Sequence, residues 1–219
     1  MKSKKENYNL SELREEYYYE GLDETKIKRD PFELFNNWFN EAVDKKVFEP
    51  NAMTLATVDE KGKPSARIVL LKDVSKKGFV FFTNYESRKG KDLKINPNAA
   101  ILFWWNILAR QIRIEGKVEM LSSSESDAYF KSRPRGSQIG AAVSDQSSII
   151  PGYSYLIDKF EKVSEKYKDA EIPKPQNWGG CRLIPEQFEF WQGRENRLHD
   201  RILFRRTSDS GWTIERLAP

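Results

Sequence analysis

The sequence predicts a mainly β, α+β fold: an antiparallel barrel of short strands with helices on its flanks. Three observations carry this reading. Past residue 50 the apolar spacing changes from that of a helix to that of strands. The apolar runs there are β-branched and aromatic, and turn-forming segments such as DEKGKP and SKKG separate them. Several such strands in quick succession commonly close on themselves, which hides their edges.

The elements follow in order. To about Lys28 the chain is polar and tyrosine-rich, with LREEYYYEGL its one dense motif. Residues 1–28 are expected to be a flexible arm, and 29–219 a single domain that includes a C-terminal strand region, 178–219. Asp30, Pro31 and Glu33 read as N-cap, first-turn proline and capping-box acid, with Phe35, Trp38, Phe39 and Ala42 at helical spacing. A helix from Asp30 to about Lys46 follows. The segments AMTLATV, SARIVLLKDV, GFVFFTN, AAILFWW and RQIRIEGKVEML read as five strands, the first three as antiparallel hairpins. SRKGKDLKIN, before Pro97, reads as a short basic helix. Ser122 and Glu125 form a capping box for a helix ending near SRPRG, and YLIDKFEKVSEKYKD is amphipathic. RLIPEQFEFWQG, DRILFRRT and WTIERLAP return to strands.

Composition narrows the function. With 219 residues, 38% of them apolar, the chain suffices for one domain with a real core. No run approaches the roughly 18 apolar residues of a membrane span, and MKSKKENYNL lacks the apolar segment of a secretory signal, so a cytoplasmic protein is expected. One cysteine, Cys181, and one histidine, His199, provide neither a disulfide nor a metal-ligand set, and no metal is expected. A net charge of +4, with 37 basic residues against 33 acids, does not single out nucleic acid as partner.

Local clusters carry more. In NRLHDRI, Arg197, His199 and Arg201 would share one face of a regular strand. Three basic groups there suit an anion, or simply a solvated hairpin. Arg67 and Lys72 stand at the two ends of the apolar run RIVLLK, on opposite faces by parity. Arg88 and Lys89 fall where a helix should begin, and Arg133 and Arg135 lie beside Ser137. Helix N-termini and clusters of basic and hydroxyl groups hold phosphates, so these two clusters suggest two phosphates or one long anion, against a reading as unrelated surface charges. Among the aromatics, Trp104, Trp105, Trp178 and Phe190 fit a core, whereas Trp191, just before QGRENRLHDR, could flank a planar ligand. Gln111 shares a polar face with Arg113 and Glu115, placed either to read a heterocycle edge or to meet solvent. The chain has no G-x-G-x-x-G, no phosphate loop of the G-x-x-x-x-G-K-[ST] type and no G-x-S-x-G.

The strings RIVLLK, FFTNYESRKGKDL, RQIRIEG, SRPRGSQIGA, SDQSS, WGG, EFWQG, NRLHDRI and ERLAP, in this order from about Leu13 to Pro219, resemble those of pyridoxamine 5′-phosphate oxidases. The resemblance implies a Greek-key-like split β-barrel that forms a homodimer, with FMN at the subunit interface. It implies FMN binding by Arg67, Ile68, Val69, Leu70, Leu71, Lys72, Phe82, Thr83, Arg88, Lys89, Gln111, Gln146, Ser147, Trp191 and Arg201. It assigns the vitamer's phosphate to Lys72, Tyr129, Arg133 and Ser137, and its ring to Arg197, Leu198 and His199, with Arg197 and His199 as the catalytic pair. Arg14 and Tyr17 resemble a segment closing over the site, although Glu15 stands where a basic residue is frequent; Phe82 stands where some relatives have tyrosine. The implied reaction passes hydride equivalents from C4′ of the phosphorylated vitamer to the flavin and then to O2, giving pyridoxal 5′-phosphate and H2O2, and ammonia from the amine. Two other functions stay open: another split-barrel flavoprotein such as a flavin reductase, and a non-catalytic barrel binding single-stranded nucleic acid.

Overall fold

The computed structural model describes residues 9–13, 16–19, 21–23 and 25–219. Its first helix, α1 (Pro31–Asp44), starts where the cap signal places it: Asp30 accepts from the Phe32 amide and pairs with Lys76. Among the described residues Glu33 returns no bond to Asp30, so the expected capping box reduces to a single cap. Phe32, Leu34, Phe35, Trp38 and Ala42 form the buried stripe of α1.

Among the described residues nine strands make one antiparallel sheet. They are β1 (Ala52–Val58), β2 (Pro64–Leu70), β3 (Asp73–Ser75), β4 (Gly78–Asn84), β5 (Asn98–Trp105), β6 (Arg110–Met120), β7 (Trp178–Gln192), β8 (Asp200–Arg206) and β9 (Trp212–Arg216). The order is β2-β1-β5-β6-β7-β4-β3, with β8 on β7 and β9 on β8. β7 is the spine. Its first half pairs with β4, most of its length with β6, and its last residues with β8. The sheet curls until its ends approach, and just beyond β2 the Lys72 amide donates to Val80 O at 2.8 Å. This is the split-barrel architecture the sequence leads one to expect.

Curling is built in locally. Opposite the Glu115–Gly116 step of β6 the register skips Glu186, an extra residue that bulges and bends β7, and any Cβ at Gly116 would collide with the Ile184 carbonyl. The barrel core is aromatic: Phe35, Phe79, Phe81, Phe103, Trp105, Phe188, Phe190 and Phe204 are each 0–1% exposed. α1 lies on this core, and Phe35 meets Phe79 edge-on at 4.9 Å between ring centroids.

Among the described residues four further α-helices flank the barrel: α2 (Arg88–Ile95), α3 (Ser123–Ser132), α4 (Arg135–Val143) and α5 (Tyr153–Lys166). The Ser122–Glu125 capping box closes in both directions. Phe130, Ile139, Val143, Ile172 and Trp178 form a second core between these helices and the start of β7.

The structure corrects three readings. The run SARIVLLKDV is not one strand, because β2 stops at Leu70 and β3 begins only at Asp73; the alternation nevertheless carries on past the end of β2, with Arg67, Val69 and Leu71 turned inward and Lys72 exposed. The segment between SRPRG and YLIDK holds an additional helix, α4. NRLHDRI is not a regular strand. Glu195–Arg197 forms one 3-10 turn, with Asn196 and Arg197 at φ 54° and 61°, and β8 begins only at Asp200. Arg197, His199 and Arg201 therefore do not alternate along one strand.

Candidate functional site

The candidate residues gather at two places. The first is an open cavity of about 970 Å³ between β2, β4, α2 and the α3–α4 turn. It is lined by Arg67, Ile68, Val69, Leu70, Lys72, Phe82, Thr83, Arg88, Lys89, Tyr129, Arg133, Ser137, Gln146 and Ser147. Leu71 does not line it and packs in the barrel core.

Local chemistry positions each group. Ser87 caps α2 by accepting from the Gly90 amide at 3.3 Å, which points the first turn of α2 into the cavity, and the Arg88 amide donates to Ser147 Oγ at 3.3 Å. Lys89 is 8% exposed and its ammonium donates to Gln146 Oε1 (2.8 Å), Thr83 Oγ1 (3.2 Å) and Ser87 Oγ (3.3 Å). Arg67 is held by Leu55 O (3.1 Å) and Thr57 Oγ1 (2.7 Å), with Asp92 at 3.9 Å. Burial lowers the proton affinity of Arg67 and Lys89, and for Lys89 the nearby Arg67 adds to it. Half-buried cations at a helix N-terminus are a receptor for an anion.

The opposite wall is aromatic. Phe82 stacks on Tyr129 at 3.8 Å and on Trp178 at 5.3 Å, and the Arg133 guanidinium lies 4.7 Å over Trp178. Desolvation lowers the proton affinity of Arg133, and its Nη1 is buried without a hydrogen-bond partner among the described residues. A buried, unsatisfied donor of a charged group beside an open cavity fits a ligand anion. Arg135 departs from the cluster read in the sequence. It bonds to the Tyr167, Lys168 and Ala170 carbonyls and ties α4 to the end of α5, outside the cavity.

The second place is the outer face of β6, β7 and β8. Gln111, Trp191 and Arg201 stand directly opposite one another in one cross-strand row. His199 packs against Trp191 at 4.6 Å, and Tyr17 meets both rings at 6.0 Å. The Arg194 amide donates to His199 Nδ1 at 3.1 Å, so the neutral ring carries its proton on Nε2. Desolvation and then Arg197 hold the His199 pKa below the ordinary imidazole value. Arg197 and Leu198 are exposed on the loop above. None of Gln111, Trp191, Arg197, His199 and Arg201 lines the cavity. Arg14 lies outside the described residues.

Some lining residues escaped the sequence reading. Asn84, Gly140 and Ser144 contribute by position on β4 and α4 and carry no local signal. Glu189 does not line the cavity but accepts from Arg201 Nε at 2.8 Å, and parity with Trp191 could have found it, since alternate strand residues share a face.

Both parts of the chain match family models: residues 39–167 match pyridoxamine 5′-phosphate oxidase, and residues 178–219 match the pyridoxine 5′-phosphate oxidase C-terminal dimerisation region. A pyridoxine/pyridoxamine 5′-phosphate oxidase of Trichormus variabilis is 52% identical over 210 residues, 96% of this chain and 98% of that one. One from Paraburkholderia phytofirmans is 55% identical over 212 residues, 96% and 99% of the two chains. Among solved structures, PhzG from Burkholderia lata, in complex with tetrahydrophenazine-1-carboxylic acid, superposes with a TM-score of 0.85 at 28% identity, covering 89% of this chain and 95% of that one. A pyridoxamine 5′-phosphate oxidase-related, FMN-binding protein from Nostoc punctiforme shares the fold, with a TM-score of 0.69 at 18% identity over 88% and 100% of the two chains. The segment bearing Trp191, Arg197, His199 and Arg201 thus falls in a dimerisation region, and by these matches the chain belongs to the pyridoxamine 5′-phosphate oxidase family.

Proposed function

We propose that the chain is an FMN-dependent oxidase that converts pyridoxamine 5′-phosphate or pyridoxine 5′-phosphate to pyridoxal 5′-phosphate, with O2 as acceptor, H2O2 as product and ammonia released from the amine. The single observation that carries this reading is the division of the cavity's cations. One set, Arg67, Arg88 and Lys89, gathers at the N-terminus of α2; another, Arg133 with Tyr129, sits on the aromatic wall, and Lys72 and Ser137 line the same cavity. Two anion receptors in one cavity suit a phosphorylated cofactor beside a phosphorylated substrate.

In this reading the FMN phosphate is held by Arg67, Arg88, Lys89, Gln146 and Ser147, and the substrate phosphate by Lys72, Tyr129, Arg133 and Ser137. FMN, when bound, supplies the two-electron redox chemistry. The protein binds, orients and shields. Phe82 and Thr83 flank the cofactor through backbone and ring, Gln111 presents an amide to its heterocycle, and Arg201 adds positive charge. His199, neutral and protonated on Nε2, offers the substrate a hydrogen-bond donor, and Arg197 fixes the pyridine in place. Tyr17 covers His199 and Trp191. No strong acid or base is required of the chain.

Gln111, Trp191, Arg197, His199 and Arg201 do not line the basic cavity of their own chain; in this reading a second copy brings them to it, so each site draws on both subunits of a homodimer. The match of 178–219 to a dimerisation region supports this. PhzG is a relative bound to a carboxylate that carries no phosphate; the unsatisfied Arg133 Nη1 suits either anion, and the further donors lining the cavity, Lys72, Tyr129 and Ser137, support the more highly charged phosphate here. The test is to offer the FMN-loaded protein pyridoxamine 5′-phosphate and, separately, unphosphorylated pyridoxamine. Pyridoxal 5′-phosphate and peroxide should form from the first, with turnover of the second lower by at least about tenfold. Equal turnover of both would remove the phosphate assignment.

A further inference from the structure

Behind the row Gln111–Trp191–Arg201 lies a buried carboxylate. Glu189 precedes Trp191 by two residues on β7 and shares its face, yet it is only 3% exposed. Its Oε2 accepts from Arg113 Nη2 at 2.7 Å and its Oε1 from Arg201 Nε at 2.8 Å. Arg201 Nη1 donates to Ala218 O at 2.8 Å. Two of the three nitrogens of the Arg201 guanidinium are thereby anchored, and among the described residues only Nη2 has no protein partner. Arg113 is itself braced by Glu115 at 3.0 Å.

An arginine on an open strand face samples many rotamers, and ordering it on ligand binding costs entropy. An arginine pinned at Nε and Nη1 keeps its last edge in one direction. We propose that Glu189 is a positioning residue: it fixes the Arg201 fork beside Trp191, so that the free guanidinium edge is preorganised for the cofactor, and it thereby sets cofactor affinity. The inference rests on the FMN reading given above. In support, the Glu189 hydrogen bond raises the proton affinity of Arg201 above its ordinary value.

The test is a double-mutant cycle on the full chain, read as the FMN dissociation constant of the apo-protein from quenching of flavin fluorescence. Glu189→Gln should weaken FMN about tenfold or more when Arg201 is present. In an Arg201→Met background the same change should alter the constant by no more than about twofold. Arg113→Gln, which leaves the Glu189–Arg201 bond in place, should stay within about threefold of the parent. If Glu189→Gln does not fold, Glu189→Asp keeps the charge, withdraws it by one methylene and should show the same dependence on Arg201. An equal loss in both backgrounds would mean that Glu189 acts on the barrel as a whole, and would overturn the proposal while leaving the FMN reading intact. Absence of FMN binding by the parent chain would overturn both.

Discussion

Replacing Arg133 by methionine should make the protein more stable and less able to use its substrate. In the ligand-free chain the Arg133 guanidinium is partly desolvated and its Nη1 is buried without a partner. Leaving a buried donor unsatisfied costs about 1–3 kcal/mol. Against that stands the contact with Trp178 at 4.7 Å, contributing about 0.5–2 kcal/mol. Methionine keeps the apolar stem and contact with the indole but removes the charge, so the net gain is about 1 kcal/mol, or 2–4 °C in Tm for a chain of this size. On the substrate side, loss of charge-assisted bonds to a phosphate costs about 1.5–3 kcal/mol, a factor of roughly 10–150 in kcat/KM. The assay pairs thermal unfolding at fixed protein and FMN concentration with steady-state kinetics on pyridoxamine 5′-phosphate. A lower Tm with unchanged kcat/KM would refute the reasoning at both steps, since it would make Arg133 a packing residue.

Other perturbations have equally definite outcomes. His199 is the one histidine in the chain, so its ring resonances need no assignment; NMR titration should place its pKa below the ordinary 6.5, with Nε2 protonated in the neutral form, and a value above 6.5 would contradict the hydrogen bond from Arg194. Asp200 accepts from the Leu22 amide (3.0 Å) and Arg194 (3.1 Å) and pairs with Arg216; these bonds outweigh the opposing effect of its burial and depress its pKa, so its stabilisation is present above the ordinary 3.8 and fades as pH falls through the lower folded value. Asp200→Asn should cost about 3 kcal/mol and 6–12 °C at neutral pH, an effect that shrinks in acid and is read by thermal unfolding across pH. Arg197→Ala should reduce turnover far more than FMN retention, and equal losses of the two would show its role to be misassigned. Mixing Arg133→Met with Arg197→Ala protein and allowing subunits to exchange should restore roughly a quarter of native activity, because half of the dimers would then carry one intact composite site; no recovery despite exchange would place each site within a single subunit.

Local signals in the sequence located most elements. The Asp30 and Ser122 caps gave helix starts because capping is a contact within a few residues, and the turn segments DEKGKP and SKKG gave the β1–β2 and β3–β4 hairpins for the same reason. What stayed hidden depends on long-range pairing. Nothing near β7 reveals that it serves β4, β6 and β8 together, nor does RLIPEQFEFWQG announce its bulge at Glu186. The site divides the same way. The Arg88–Lys89 pair was visible as a helix start, and it does open α2. The alternation of Arg197, His199 and Arg201 failed because Asn196 and Arg197 adopt left-handed backbone, which breaks a strand and which periodicity does not register. Arg135 was grouped with Arg133 by adjacency alone, yet the start of α4 sends it to the carbonyls at the end of α5.

The most direct measurement is the visible spectrum of the FMN-loaded protein before and after anaerobic addition of pyridoxamine 5′-phosphate, and again after air is admitted. The flavin band should bleach with substrate and return with oxygen, both half-reactions occurring on one protein. A flavin that binds but stays oxidised would contradict the substrate assignment, and a protein that takes up no flavin would contradict the account as a whole.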